Sequence, residues 1–317
     1  MKKILITRKL IKSSEDYASK IFDVKFNKED KVMTKDDLIK NSSDCDGILS
    51  SLTEKIDAEV ISKLSSSIKI ISNFAVGFGN IDIVAARNKN IIVTNTPEVL
   101  TDATAEIGML VLLGAARRAK EGIEWVNKKN WKWSADFLMG KQLSGARLGI
   151  LGMGRIGRAV AHRAKSFGMI IHYYNRSQLD KNLEQGAIYH NSLESLLSVS
   201  NFFSINCPAT KETKYIINKD TLKHFPDGAI LCNTARGDMI DDNAMVEALK
   251  SGKIFSLGLD VYNGEPNICS EYLTLPNVFV LPHLGSSTAK TRTDMGNLAV
   301  KNIEDFFKIG ICKNTVN

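Results

Sequence analysis

The chain has 317 residues, 44% hydrophobic and 24% charged, a globular composition in a chain too long for one hydrophobic core, which predicts two domains. Its 42 lysines and arginines against 35 acids leave a formal charge of +7, but they are dispersed, without the dense basic runs of a nucleic-acid-binding arm. Five cysteines at irregular spacing, Cys45, Cys207, Cys232, Cys269 and Cys312, form no CxxC pair, which argues against a disulfide framework or a zinc site; no metal is expected, and the thiols read as those of a cytoplasmic protein.

Residues 1–7, MKKILIT, begin like a signal peptide, but Arg8 and Lys9 end the apolar run too early for one, so the segment reads as a first strand. Further apolar runs at 47–49, 69–74 and 91–94 alternate with helical patterns at 57–64 and 82–88, the alternation of a parallel sheet covered by helices. Pro97 breaks the chain, and 101–118 reads as a long helix, apolar on nearly every side, that has to be buried between domains or against another subunit. Its apolar stretch, 107–116, is too short to cross a bilayer and ends at Arg117 and Arg118. The stretch 127–134, NKKNWKWS, mixes lysine with Trp131 and Trp133; it is too short and isolated for nucleic-acid binding and reads as an interface loop.

Residues 148–176, LGILGMGRIGRAVAHRAKSFGMIIHYYNR, carry the most informative local pattern. An apolar run leads into Gly152, Gly154 and Gly157, then a helical stretch and a second apolar run. The first glycine permits the tight turn, the second lets backbone approach a pyrophosphate, and the third lets helix and strand pack closely; the helix start at Arg155, Ile156 and Gly157 offers N–H groups to the anion. The second run ends at Asn175, Arg176 and Ser177, where an NAD-preferring site usually carries an acid for the ribose 2′-hydroxyl. No carboxylate stands there, Arg176 can grip a 2′-phosphate, and its neighbours add neutral polar groups. NADP(H) is therefore expected over NAD(H). Arg176 as a solvated charge, or stacked on adenine in an NAD-linked protein, is the alternative.

Strands follow at 202–206, 229–233, 256–260 and 278–281, making a second α/β unit. The helical pattern at 287–307 has no strand of its own to cover, so it is expected to return to the first unit. The expected fold is α/β, two Rossmann-like domains with parallel sheets: a discontinuous substrate domain of residues 1–98 and 286–317, and a dinucleotide-binding domain of residues 99–285.

Three segments beside strand ends carry polar chemistry: NTARGDMID at 233–241, GLDVYNGEP at 258–266 and LPHLGSST at 281–288. In an open α/β sheet the ligand crevice lies at the carboxyl ends of the strands, so Arg236, Glu265 and His283 can converge there. Carbonyl reduction needs a general acid, which histidine supplies; a carboxylate fixes its tautomer and favours imidazolium, and arginine clamps the carboxylate of a 2-oxo acid. The other four histidines show no such setting.

Together with SNFAVGFGNID at 72–82 and NTPEVLTDATAE at 95–106, these motifs resemble the D-isomer-specific 2-hydroxyacid dehydrogenases over essentially the whole chain, and within them glyoxylate/hydroxypyruvate reductases most. The resemblance implies an oxidoreductase reducing glyoxylate and hydroxypyruvate to glycolate and D-glycerate, with Arg236, Glu265 and His283 catalytic. It implies that Leu52, Val76, Gly77 and Arg236 bind substrate. The implied cofactor contacts, beyond the glycine loop and Asn175, Arg176 and Ser177, are Thr101, Cys207, Pro208, Thr234, Ala235, Asp260, His283 and Gly285. It also implies closure near Pro97 and Gly285 and a homodimer formed through the helix from Thr101 and the loop after it.

Two departures weigh on substrate choice and class. Some hydroxypyruvate reductases carry a tryptophan, just before the cofactor domain, that reaches the partner's substrate site; Phe137 stands there, leaving Trp131 or Trp133 as substitutes or a roomier pocket. Glu265 stands where formate dehydrogenases of the superfamily carry glutamine, which disfavours that activity. The alternatives are an NAD-linked dehydrogenase for a different or larger 2-oxo acid, and a non-catalytic dinucleotide sensor.

Overall fold

All twelve strands pair in parallel, so every neighbouring pair needs a crossover, and the helices supply it. The computed structural model describes residues 1–317, which form two units, Met1–Leu100 with Ser286–Asn317, and Thr101–Gly285.

In the first unit β1 (Lys3–Ile6), α1 (Lys12–Ile21), β2 (Asp23–Phe26), α2 (Lys35–Ser42), β3 (Gly47–Ser51), α3 (Ala58–Lys63), β4 (Ile70–Phe74), α4 (Ile83–Asn88) and β5 (Ile92–Thr94) follow in order. The sheet runs β2-β1-β3-β4-β5, a doubly wound order whose strands are covered on both faces. Leu5, Ile48, Ile71 and Val93 lie in its core. Side-chain caps start the helices: Asp57 accepts the Val60 N–H, and Asp82 those of Val84 and Ala85.

The second unit opens with α5 (Thr101–Ala116) and α6 (Ala119–Asn127). Next come β6 (Arg147–Leu151), α7 (Arg155–Ser166), β7 (Ile170–Tyr174), α8 (Lys181–Glu184), β8 (Ile188–His190), α9 (Leu193–Val199) and β9 (Phe202–Ile205). Then follow α10 (Lys219–Leu222), β10 (Ala229–Asn233), α11 (Asp242–Ser251), β11 (Ile254–Leu259), α12 (Ser270–Thr274) and β12 (Val278–Val280). The strand order, β12-β11-β10-β9-β6-β7-β8, reverses direction between β6 and β9, the switch point at which a dinucleotide is bound in such sheets.

The long apolar helix differs from expectation in two ways. It ends at Ala116, because Arg118 takes a left-handed conformation (φ 53°) and α6 begins after it. Most of its apolar residues are buried within its own unit, on α7 and across β10 and β11, where the Ser256 hydroxyl donates to the Ala115 carbonyl at 3.0 Å, while Leu110 stays exposed. A helix apolar all round names no packing partner, and the sheet beneath supplies it.

The C-terminal helix α13 (Ala289–Ile309) packs on β4 and α1 of the first unit. Ser72 donates to the Ala299 carbonyl at 2.9 Å, and Tyr17 to Glu304 at 2.5 Å. No helix is long and apolar enough to cross a membrane.

Candidate active site

In the second unit the functional segments leave the carboxyl ends of β6, β7, β9, β10, β11 and β12. After β6 the chain turns at Gly152, whose φ of 92° favours glycine; a Cβ there would collide with the backbone of Cys207 after β9. The Gly152 N–H donates to the Tyr174 carbonyl at 3.0 Å and the Met153 N–H to Asn175 Oδ1 at 2.7 Å, so β7 braces the loop. Gly154 caps α7 without a side chain, has no atom within 4 Å of where its Cβ would stand, and leaves the Ile156 and Gly157 N–H groups without an acceptor in the protein. An open cradle of free N–H groups at a helix start fits a dinucleotide pyrophosphate.

At the end of β7, Arg176 and Ser177 are exposed, whereas Asn175 already holds the glycine loop through its carbonyl oxygen. The exposed Glu212, after β9, is held below the usual carboxylate range, first by the Thr210 hydroxyl and also by the charges of Lys211 and Arg176. Cys207 is half-buried beside Met239, and desolvation pushes its thiol up to about 11.

Arg236 follows β10. Buried Asn233 shapes this loop, accepting the Ala235 N–H at 2.9 Å and donating to the Arg236 carbonyl at 2.7 Å. The Arg236 guanidinium donates to the Ala235 carbonyl at 2.6 Å. Burial holds it below its ordinary range, against the opposing charges of Glu265 and Asp238. Thr234 is buried and Pro208 exposed.

His283 follows β12 in a left-handed conformation (φ 57°), and its Nδ1 meets Glu265 Oε2 at 2.8 Å. Burial opposes ionisation of Glu265, but the hydrogen bond and charge of His283, the Tyr262 N–H and the Arg236 charge outweigh it and hold the carboxyl below its ordinary range. Asp260, expected among the cofactor contacts, accepts the N–H groups of Leu284 at 2.6 Å and Gly285 at 2.8 Å. His283 Nε2 has no hydrogen-bond partner in the protein.

Leu52, Val76 and Gly77 belong to the first unit, after β3 and β4. Asn95 holds the Val76 carbonyl and Asn73 the Gly77 carbonyl, each at 2.9 Å, while the two N–H groups of this turn have no acceptor in the protein. Thr101 is the first residue of α5. Trp131 and Trp133 are 86% and 80% exposed, and the Phe137 ring packs edge-on against Trp125 at 5.1 Å. Asn233 and Tyr262 were not anticipated as parts of the site; only their place inside the NTARGD and GLDVY motifs could have marked them.

The model of the D-isomer specific 2-hydroxyacid dehydrogenase NAD binding domain matches residues 109–285. A glycerate dehydrogenase from Hyphomicrobium methylovorum is 43% identical, with 96% of each chain covered. The chain belongs to the D-isomer specific 2-hydroxyacid dehydrogenases. A glyoxylate reductase from Thermococcus litoralis is 39% identical over 99% of this family member and 96% of its own length. Among solved structures, a glyoxylate reductase from Paecilomyes thermophila superposes with a TM-score of 0.91 at 34% identity, covering 99% and 98% of the two chains. An NADPH-dependent glyoxylate/hydroxypyruvate reductase from Sinorhizobium meliloti, in complex with NADP and malonate, does so with a TM-score of 0.90 at 30% identity, covering 99% and 96%. The enzyme is thus an oxidoreductase of 2-hydroxy and 2-oxo acids whose second unit binds a nicotinamide dinucleotide.

Proposed function

We propose that this dehydrogenase reduces glyoxylate and hydroxypyruvate to glycolate and D-glycerate, with NADPH as the preferred donor. The observation that carries the reading is the His283–Glu265 hydrogen bond of 2.8 Å at the strand ends that also bear Arg236. When bound, the dihydronicotinamide supplies a hydride to the carbonyl carbon. Ionised Glu265 accepts the Nδ1 proton in a hydrogen bond and fixes the ring, so His283 Nε2 delivers a proton to the oxygen as it becomes an alkoxide. The imidazole left behind is neutral and still held by Glu265. Arg236, half-buried, offers its guanidinium to the substrate carboxylate, a group attractive to a partly desolvated cation. In the first unit, the free N–H groups of Val76 and Gly77 are donors suited to a carboxylate, and Leu52 follows β3.

The substrate choice draws support from the names of the relatives, and the cofactor choice from exposed Arg176 and Ser177 at a strand end without an acid. We assign a homodimer to the segment 110–133, where Leu110, Ile123, Val126, Trp131 and Trp133 expose apolar side chains, and a cytoplasmic location to a chain with five free thiols. A second reading, an NADH-linked reductase, is favoured by Glu212, whose charge beside Arg176 opposes a 2′-phosphate. Cofactor oxidation followed with glyoxylate, hydroxypyruvate, pyruvate and branched 2-oxo acids decides between them. The expected result is highest kcat/KM for the first two with NADPH; a preference for NADH or for a branched acid overturns that part of the reading.

A further inference from the structure

Tyr262 touches the segments that bear Arg236, Glu265 and His283. It lies three residues after β11 and is only 8% exposed. Its backbone N–H donates to Glu265 Oε1 at 2.8 Å, fixing the carboxylate oxygen that does not face His283. Its hydroxyl donates to the Leu281 carbonyl at 2.6 Å. That same carbonyl accepts the His283 N–H at 3.1 Å, closing a tight turn around Pro282. Next to Arg236, Gly237 has no room for a side chain, because a Cβ there would overlap the Tyr262 carbonyl group.

We propose that the Tyr262 hydroxyl is a positioning group for the proton donor, holding the His283 turn at the height at which Nδ1 meets Glu265. The inference rests on the reading of His283 as the general acid. The turn is held from three sides. Asp260 takes the two N–H groups after the histidine, Glu265 takes the ring, and the Tyr262 hydroxyl is the side chain that donates to the Leu281 carbonyl before it. A left-handed residue has a competing relaxed conformation nearby, so one missing anchor lets the ring tilt away from Glu265. Burial, reinforced by the charges of Asp260 and Glu265, pushes the phenol up to about 12, so it remains a donor throughout the working range.

The test is Tyr262→Phe in the full-length protein, which keeps the ring and removes only the hydroxyl. With glyoxylate and the preferred dinucleotide, kcat is expected to fall about three- to tenfold, with the dinucleotide KM unchanged and the alkaline limb of the pH profile moved to lower pH. In a His283→Gln background the same substitution is expected to cost nothing further, because it acts through the histidine. Unchanged kcat and pH profile, even with a lowered Tm, overturns the proposal, as does an equal loss in the His283→Gln background. His283→Gln that alone keeps parental turnover removes the general-acid reading and the proposal with it, and that failure is read from the single variant. Should Tyr262→Phe not fold, 4-aminophenylalanine at 262 keeps the ring and leaves only a weaker N–H donor; kcat is then expected to fall with the alkaline limb moved to lower pH, and parental kcat and an unmoved limb are the contrary result.

Discussion

Asp260 holds His283 through the chain that follows it, accepting the N–H groups of Leu284 at 2.6 Å and Gly285 at 2.8 Å. The histidine's left-handed backbone is disfavoured by roughly 1–2 kcal/mol, and charge-assisted bonds to a buried carboxylate offset that cost. Asparagine can accept only one of the two N–H groups and turns an amide donor toward the other. Asp260→Asn is therefore expected to lower kcat about 10- to 100-fold, measured by steady-state kinetics at saturating cofactor.

On the proposed reading, Arg176 and Glu212 bear on the cofactor preference from opposite sides. Arg176→Asp is expected to reverse an NADPH preference, because an acid there repels the 2′-phosphate and can accept from a 2′-hydroxyl. Glu212→Gln removes the opposing charge and is expected to lower the NADPH KM about two- to threefold at low salt, less at high salt, with little change for NADH. The ratio of kcat/KM for the two cofactors, taken at two ionic strengths, checks both.

Asn175 acts on the loop, since its Oδ1 receives the Met153 N–H at 2.7 Å. Asn175→Ala is expected to raise KM for NADPH and NADH alike, by about three- to tenfold. A loss confined to NADPH would return Asn175 to direct phosphate binding.

The parallel alternation was legible because most strands are uniformly apolar runs, as parallel strands covered on both faces must be. The two strands that were not legible, β2 and β8, sit at sheet edges and read DVKF and IYH, with no fully buried position between them. Arg236, Glu265 and His283 stood out as chemistry-bearing residues beside strand ends, yet Asn233 and Tyr262 direct their side chains at backbone partners that no side-chain pattern reports. Tyr262 meets Leu281 across nineteen residues, a pairing created by the adjacency of β11 and β12. Asn175 was legible as polar and not as a brace, because its partner is a main-chain N–H.

His172 on β7 and His190 on β8 share a hydrogen bond of 2.9 Å, and His190 meets Ser195 at 3.1 Å. Burial lowers both, His172 further through the nearby charges of His190 and Arg147, below their ordinary 6.5. Above that value both the folded and unfolded pair are neutral and the contribution to stability is complete. Below it the unfolded chain takes up protons that the folded pair refuses, so stability falls with pH. Tm is expected to drop between about pH 7 and about pH 5, with a smaller drop in His190→Gln.

The general-acid assignment is tested most directly by His283→Gln, assayed for reduction of glyoxylate and hydroxypyruvate with the preferred dinucleotide. Glutamine retains a polar side chain but cannot deliver a proton, so kcat is expected to fall about 100- to 10,000-fold, while dinucleotide binding measured by fluorescence titration is retained. Turnover within a few fold of the parent would contradict the assignment of His283, paired with Glu265, as the source of the proton.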